Sequence, residues 1–264
     1  METPFAIDLE KVSVRLDRNH ILNDISWRVP YGEHNFILGA NGAGKTTLVK
    51  TIMGFVWPIF GAKVCVLGNT YGNSNLIELR RRIAWVSPFM QQYTSSGEWT
   101  ALQIVLSGIE GTLGLFRKVS DEETAQAIEL MRMLKCEHTA QRRVSLLSSG
   151  EQIKTLICRA MMTKPELMIM DEPCVHLDMK GREYLLETID NFAKSKNAPT
   201  IIFITQRIED ILPVFKHGII LRQGKIIARG HRNELLTEAM LGETFDMPIK
   251  LQKSQSGRYW PVIE

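Results

Sequence analysis

The stretch Gly39-Ala-Asn-Gly-Ala-Gly-Lys-Thr-Thr47 has the residue types and spacing to hold phosphate. It fits the pattern G-x-x-x-x-G-K-[ST], a phosphate-binding loop when it follows a strand and opens a helix. Gly39, Gly42 and Gly44 let the backbone curl and come close to phosphate oxygens without a Cβ clash. The loop N–H groups, those around Asn41 and Ala43 among them, then point inward, and the following helix adds its positive end. Lys45 would reach the β- and γ-phosphates, the Thr46 hydroxyl would hold Mg²⁺, and Thr47 would bond the α-phosphate. The apolar run His34–Leu38 reads as the buried strand before the loop, and Thr46–Met53 as the helix after it.

Two further stretches carry chemistry. Leu167-Met-Ile-Met170 is an all-apolar run ending in Asp171-Glu172. A carboxylate at the C-terminal end of such a strand sits where open α/β sheets bind ligands. Asp171 could hold Mg²⁺ through water, and Glu172 could take a proton from an attacking water. By themselves the two acids could equally be a solvated pair before Pro173. The second stretch, Leu147-Ser-Ser-Gly-Glu-Gln152, precedes a helical pattern, so its hydroxyls and its glycine would sit at an anion-binding helix end. Taken singly, such a Ser-Ser-Gly is an ordinary helix cap.

The elements that must position these groups follow from periodicity. Ala6–Leu16 and Ile21–Val29 alternate apolar and polar residues around a polar Asp17–His20 turn, an antiparallel hairpin. Ala62–Leu67 reads as a strand, Leu76–Arg82 as a short helix, and Ile83–Val86 as a central buried strand. Trp99–Gly108, Ser120–Leu134 and Ser149–Thr163 show helical spacing, so residues 87–164 form a helical insertion. Asp121-Glu-Glu123 behind Ser120 suits a cap followed by acids in the first turn. Met179–Ala193 is helical and Thr200–Thr205 a buried strand. Gly218–Leu221 and Lys225–Ala228 flank a hairpin turn at Arg222–Gly224, and Asn233–Leu241 reads as the last helix before a mixed tail.

Composition narrows the class. A chain of 264 residues with 44% hydrophobic and 23% charged residues is an ordinary globular protein with room for a proper core. The net charge of +3 gives no argument for nucleic acid. Arg80-Arg-Arg82 reads as a solvated helix end. No apolar run approaches the roughly 20 residues that cross a bilayer, and Met1–Phe5 lacks the layout of a signal peptide. Cys65, Cys136, Cys158 and Cys174 show no C-x-x-C pairing and read as buried thiols of a reducing compartment. A cytoplasmic protein is the expectation.

In this order, Gly39–Thr47, Leu147–Gln152, Leu167–Pro173 and Leu177-Asp178 resemble the motif series of ABC-type ATPase domains, and the resemblance covers nearly the whole chain. It implies an α/β fold: a P-loop NTPase with a RecA-like core, an antiparallel β subdomain and a helical subdomain. As one domain over 1–264, residues 1–86 and 165–264 would form the β subdomain and core, and 87–164 the helical part. It further implies ATP with Mg²⁺ and a homodimer or heterodimer of ABC ATPase subunits, head to tail, with two ATP molecules at the interface. The signature residues Ser148, Ser149, Gly150 and Glu151 of one subunit would meet the ATP on the other's phosphate loop, with Ser148 and Gly150 at the γ-phosphate. Asp178 would link the two sites, while Val175 and His176 are unusual neighbours for it.

Three departures from the family pattern stand out. Leu16 falls where the family commonly has an aromatic that stacks on adenine, which leaves an apolar contact unless Tyr31 or another ring substitutes. Ser87-Pro88 occupies the spot of the Q-loop glutamine, and Gln91 and Gln92 come slightly later; Gln91 is the choice for sensing Mg²⁺ and the partner subunit. Gln206, after Ile204-Thr205, stands where the family has histidine. Its amide can donate a hydrogen bond to the γ-phosphate but can neither carry charge nor move a proton.

The resemblance implies an ATP-binding and ATP-hydrolysing subunit that powers an ABC transporter, working with separate transmembrane permease subunits at the cytoplasmic face of the inner membrane. Val105–Gly108 through Gly114-Leu-Phe116, the Ser148-Ser-Gly-Glu151 signature and Ile208–Pro213 are together similar to ATP-binding proteins of molybdate-related systems. A soluble regulatory, repair or translation ATPase is the alternative, though the tandem halves or coiled-coil insertion of such proteins are not seen. A subunit that binds ATP and turns it over slowly because of Gln206 is another.

Overall fold

The computed structural model describes residues 4–87, 98–110, 115 and 117–263, so Gln91 and Gln92 lie outside the described residues. In chain order its strands are β1 (Phe5–Leu16), β2 (Asn19–Pro30), β3 (Asn35–Leu38), β4 (Lys63–Val66), β5 (Asn69–Thr70), β6 (Ile83–Val86), β7 (Leu167–Asp171), β8 (Thr200–Thr205), β9 (His217–Arg222), β10 (Lys225–His231), β11 (Lys250–Lys253) and β12 (Tyr259–Val262). The described helices are α1 (Lys45–Ile52), α2 (Leu76–Arg81), α3 (Ala101–Leu106), α4 (Asp121–Met133), α5 (Ser149–Met161), α6 (Met179–Ala193), α7 (Arg232–Leu235) and α8 (Glu238–Phe245). Two compact units emerge, Met1–Ile83 with Thr200–Glu264, and Ala84–Pro199.

In the first unit the alternating residues at the start build a long hairpin. β1 and β2 run antiparallel from Phe5 opposite Pro30 to Leu16 opposite Asn19. Their turn is tighter than the polar stretch suggested, because Asp17 and Arg18 both take positive φ, 46° and 69°, and so close a two-residue turn that suits strand twist. β1 also pairs with β4 and β4 with β5, giving the order β2-β1-β4-β5. Asp8 ties three strands together by accepting from Arg28 Nε at 2.8 Å and Lys63 Nζ at 2.6 Å. Burial pushes its pKa up, but the bonds from Lys63 and Arg28 more than offset this and hold it below the usual value.

The second sheet of this unit has β3 parallel to both β8 and β9, with β10 folded back on β9. Every residue of β3 and β8 is buried. Such runs show no alternation because parallel strands are covered on both faces. The β9–β10 turn is Gln223-Gly224, both at positive φ (49° and 74°). One expectation fails here. The last helix is broken: α7 ends at Leu235, and Thr237 caps a new helix by accepting from Met240 N–H at 3.3 Å. The mixed tail also contains a hairpin, β11 with β12.

The second unit is mostly helical. Each of α3, α4 and α5 opens with a reciprocal cap, Thr100 with Gln103, Ser120 with Glu123 and Ser148 with Glu151. Arg117 grips both oxygens of Glu123, at 2.9 and 2.6 Å, and that contact holds the carboxyl down to about 2. The apolar stripes, Ile104 and Val105 of α3, Ala127 and Met131 of α4, and Ile153, Leu156 and Ile157 of α5, are buried. β6 is mostly buried as expected but not central: among the described residues its one neighbour is β7.

Gly108, just past α3, lets two segments touch, since a Cβ there would sit 2.1 Å from the Arg159 carbonyl oxygen on α5. Gly108→Ala should cost about 1–3 kcal/mol, a fall in melting temperature of roughly 2–12 °C by thermal unfolding; an unchanged melting temperature would contradict the tight approach.

Candidate functional site

The phosphate loop leaves β3 and enters α1, and it is braced by backbone from three directions. A Cβ on Gly39 would lie 2.4 Å from the Leu221 carbonyl oxygen, so only glycine passes there. Gly44, at φ 102°, caps α1 with no side-chain bond and lies against Leu22 and the Ile21 carbonyl. The Gly224 N–H donates to the Ala43 carbonyl at 3.0 Å, and the Asn23 N–H donates to the Gly224 carbonyl at 2.8 Å. Lys45 is buried, and its Nζ donates to the loop's own carbonyls, Gly39 at 2.8 Å and Ala40 at 3.0 Å. The amine thus spans the inside of the curl. Asn41, Gly42 and Thr46 are exposed, and a Cβ on Gly42 would meet nothing within 4 Å. The Ala43 N–H closes the curl by donating to the Ala40 carbonyl at 3.2 Å, and the open mouth at Asn41 and Gly42 leaves room for phosphate.

Gln206 belongs to the same end of the first unit. Thr205, the last residue of β8, is paired with Leu38. Gln206 therefore leaves the sheet beside Gly39. Leu16 is half exposed at the Leu16–Asn19 end of the hairpin, where β2 begins and runs on into the loop-bracing Ile21 and Leu22. Tyr31 cannot replace it. The antiparallel register puts Phe5 opposite Pro30, so Tyr31 stands at the far end of two 12-residue strands. His20, opposite Arg15, is the residue that brings a ring to the Leu16 end.

In the second unit β7 is buried throughout and delivers Asp171, itself buried, and then Glu172. Glu172 takes φ 50°. A left-handed conformation in a residue with a side chain costs about 1–3 kcal/mol and is tolerated mainly where position matters. The turn continues with Val175 N–H to the Glu172 carbonyl and Leu177 N–H to the Cys174 carbonyl, both 3.2 Å. Asp178 then caps α6 by accepting from Gly181 N–H at 2.7 Å.

The stretch Leu147–Gln152 opens α5, as its pattern suggested. The Ser148 hydroxyl accepts from Glu151 N–H at 3.3 Å and donates to Glu151 Oε2 at 2.9 Å, and the same oxygen takes the Ser148 N–H at 2.9 Å. Glu151 Oε1 meets His138 Nε2 at 3.3 Å and Arg142 Nη1 at 3.4 Å. Burial pushes Glu151 up, but the bonds from Ser148 and His138 and the charge of Arg142 keep it a carboxylate below the usual range. It engages the hydroxyl that an incoming anion would use. A Cβ on Gly150 would meet only Leu177 Cδ2, at 4.0 Å, so glycine here leaves space instead of avoiding a clash. Ser148, Ser149, Gly150 and Glu151 share a cleft of about 630 Å³ with His176 and Asp178.

Sequence patterns missed the bracing of the loop by Gly224 and the counter-charges of Glu151, His138 and Arg142. The Gln-Gly turn was visible as a turn, but its bond to Ala43 was not.

A family model for ABC transporters matches residues 22–175, over half of the chain. The chain is 40% identical over 250 residues to YlmA, an uncharacterized ABC transporter ATP-binding protein of Bacillus subtilis (strain 168), covering 94% of each. It is 32% identical over 247 residues to YmeB, an uncharacterized ABC transporter ATP-binding protein of Lactococcus lactis subsp. lactis (strain IL1403), covering 94% of this chain and 95% of that one. Neither name carries a cargo, so the likeness to molybdate-related systems gains no support from them. The fold is similar to the ADP conformation of MJ1267, an ATP-binding cassette of an ABC transporter, with a TM-score of 0.79 at 23% identity over 92% of this chain and 99% of that one. With the family model matched over more than half of it and a relative 40% identical over 94% of its length, the chain belongs to the ATP-binding, ATP-hydrolysing proteins of the ABC transporter family.

Proposed function

We propose that this chain is the ATP-hydrolysing subunit of a transporter, acting as one of a head-to-tail pair and coupled to separate permease subunits at the cytoplasmic face of the inner membrane. The observation that carries this reading is an anion-ready end in each unit: the loop closed around Lys45, and the α5 N-terminus with Ser148 and Gly150. No helix among the described residues is long and apolar enough to cross a membrane, and the proposal assigns the spans to the permease. Each ATP would lie between the loop of one copy and the signature of the other.

The roles follow from residue chemistry. Loop N–H groups from Gly39 to Thr47 bind the phosphates, and Lys45 turns from the Gly39 and Ala40 carbonyls to the β- and γ-oxygens. Thr46 and, through water, Asp171 would hold Mg²⁺, which when bound neutralises charge on the terminal phosphates. Glu172 takes the proton of the attacking water. Ser148 gives up its bond to Glu151 and donates to the γ-phosphate of the paired copy, and Asp178 connects the two sites. Leu16 offers the base an apolar contact in place of stacking.

Gln206 favours a second feature, slow turnover. Its neutral amide can hold a γ-phosphate or a water but cannot accept and return a proton.

Lys45→Met should weaken nucleotide binding by ~10-fold or more, measured by titration with a fluorescent ATP analogue; unchanged affinity would remove Lys45 from the site. Glu172→Gln should accumulate an ATP-bound dimer in light scattering, and normal hydrolysis by that variant would show that another group is the base. Gln206→His should raise the steady-state rate by ~10-fold or more, the lower range for an acid–base group, and an equal or lower rate would sink the slow-turnover reading.

A further inference from the structure

The second unit buries a cation that the fold does not explain. Lys154, on α5, is 2% exposed, and its Nζ has no hydrogen-bond partner among the described residues. It stands 3.4 Å from the centre of the Tyr184 ring on α6. Burial lowers its pKa to about 8. The nearby thiols of Cys136 and Cys158 bond to each other, Sγ to Sγ at 4.0 Å. Holding an ammonium out of water costs stability unless it is paired, and an aromatic face returns only part of that. A methionine would fill nearly the same volume at no such cost.

The cleft beside it supplies a reason. Lys154 and Tyr184 line the same cleft of about 630 Å³ as the N-terminal turns of α5 and α6. Ser148 and Gly150 enter it from α5, Lys180 and Gly181 from α6, and Lys135 and His138 from the turn after α4. Both helix ends favour an anion, and a lysine on a helix leans toward that helix's N-terminus. The two acids of the cleft are already committed. Glu151 holds Ser148, His138 and Arg142, and Asp178 holds the Gly181 N–H. Two helix N-termini therefore converge with lysines that the cleft's own acids do not pair, Lys135 reaching instead to Glu187 at 3.9 Å.

We propose that Lys154, buried just beneath the floor of this cleft, is a phosphate-binding residue whose Nζ turns from the Tyr184 ring to give the nucleotide phosphates of the paired subunit the positive charge that Gln206 cannot give. This rests on the paired-subunit reading above. The same cleft chemistry would also take a free polyphosphate, and the two sources are separable.

The test is ATP-dependent dimerisation of Glu172→Gln full-length chain, followed by light scattering, alone and combined with Lys154→Met or Lys154→Arg. Lys154→Met should raise the ATP concentration for half-dimerisation by ~10-fold or more, the worth of a charge-assisted bond, while its melting temperature stays equal or rises. Lys154→Arg should retain dimerisation, since guanidinium keeps the charge. A merely structural lysine would lower the melting temperature on replacement and leave the ATP requirement of the folded protein unchanged, and that result overturns the assignment while sparing the paired reading. If Glu172→Gln alone stays monomeric at saturating ATP, the paired reading fails. Calorimetry with inorganic tripolyphosphate on Lys45→Met protein then decides the cleft. Binding that disappears on adding Lys154→Met keeps Lys154 as a site for free polyphosphate, and absence of binding overturns it.

Discussion

The first unit depends on one close packing of backbone against backbone: the phosphate loop wedged between the Leu221 carbonyl, the Ile21–Leu22 start of β2 and the Gln223-Gly224 turn. None of these contacts tolerates a side chain on Gly39 or Gly44, and none involves the ligand. The loop is therefore shaped before anything binds, and Lys45 holds the curl from inside through two of its carbonyls. A binder built this way spends little on ordering itself at the moment of binding. It also explains why the long β1–β2 hairpin and the later β9–β10 hairpin belong to the nucleotide end of the unit: each supplies a wall of the loop.

The chain distributes positive charge differently from its family's pattern. Gln206 removes a titratable group beside Gly39, and Glu151 adds a carboxylate at the N-terminus of α5. The second change is offset locally by His138 and Arg142, and the cleft between α5 and α6 keeps Lys154 buried at a cost in stability. Under the proposed scheme, lysine instead of a residue at the switch position meets phosphate in that cleft, with slower turnover and retained ATP-driven pairing.

What could be read from residues alone follows the physics of each element. Leu167–Met170 and Thr200–Thr205 were plain because parallel strands buried on both faces leave unbroken apolar runs. Ser120 and Ser148 were plain as caps because capping is local. The break at Leu236 was hidden, since apolar periodicity continues through it and only the Thr237 cap reveals a new helix. Tyr31 was a reasonable substitute for Leu16 by proximity in sequence, and only the antiparallel register separates them. Lys154 in an amphipathic helix looks like a solvated face until Tyr184, thirty residues on by number, closes over it. In each hidden case the deciding contact joins residues far apart in the chain, or a single cap overrides a continuing pattern.

In the proposed pair, ATP joins the loop of one copy to the signature of another. Mixing Asn41→Cys chains with Ser149→Cys chains, whose four native cysteines are buried, and treating the mixture with a short thiol cross-linker with and without ATP probes this joint. The account predicts a cross-linked pair containing one chain of each kind that forms only with ATP. A product that forms equally without ATP, or no mixed product at saturating ATP, would contradict it.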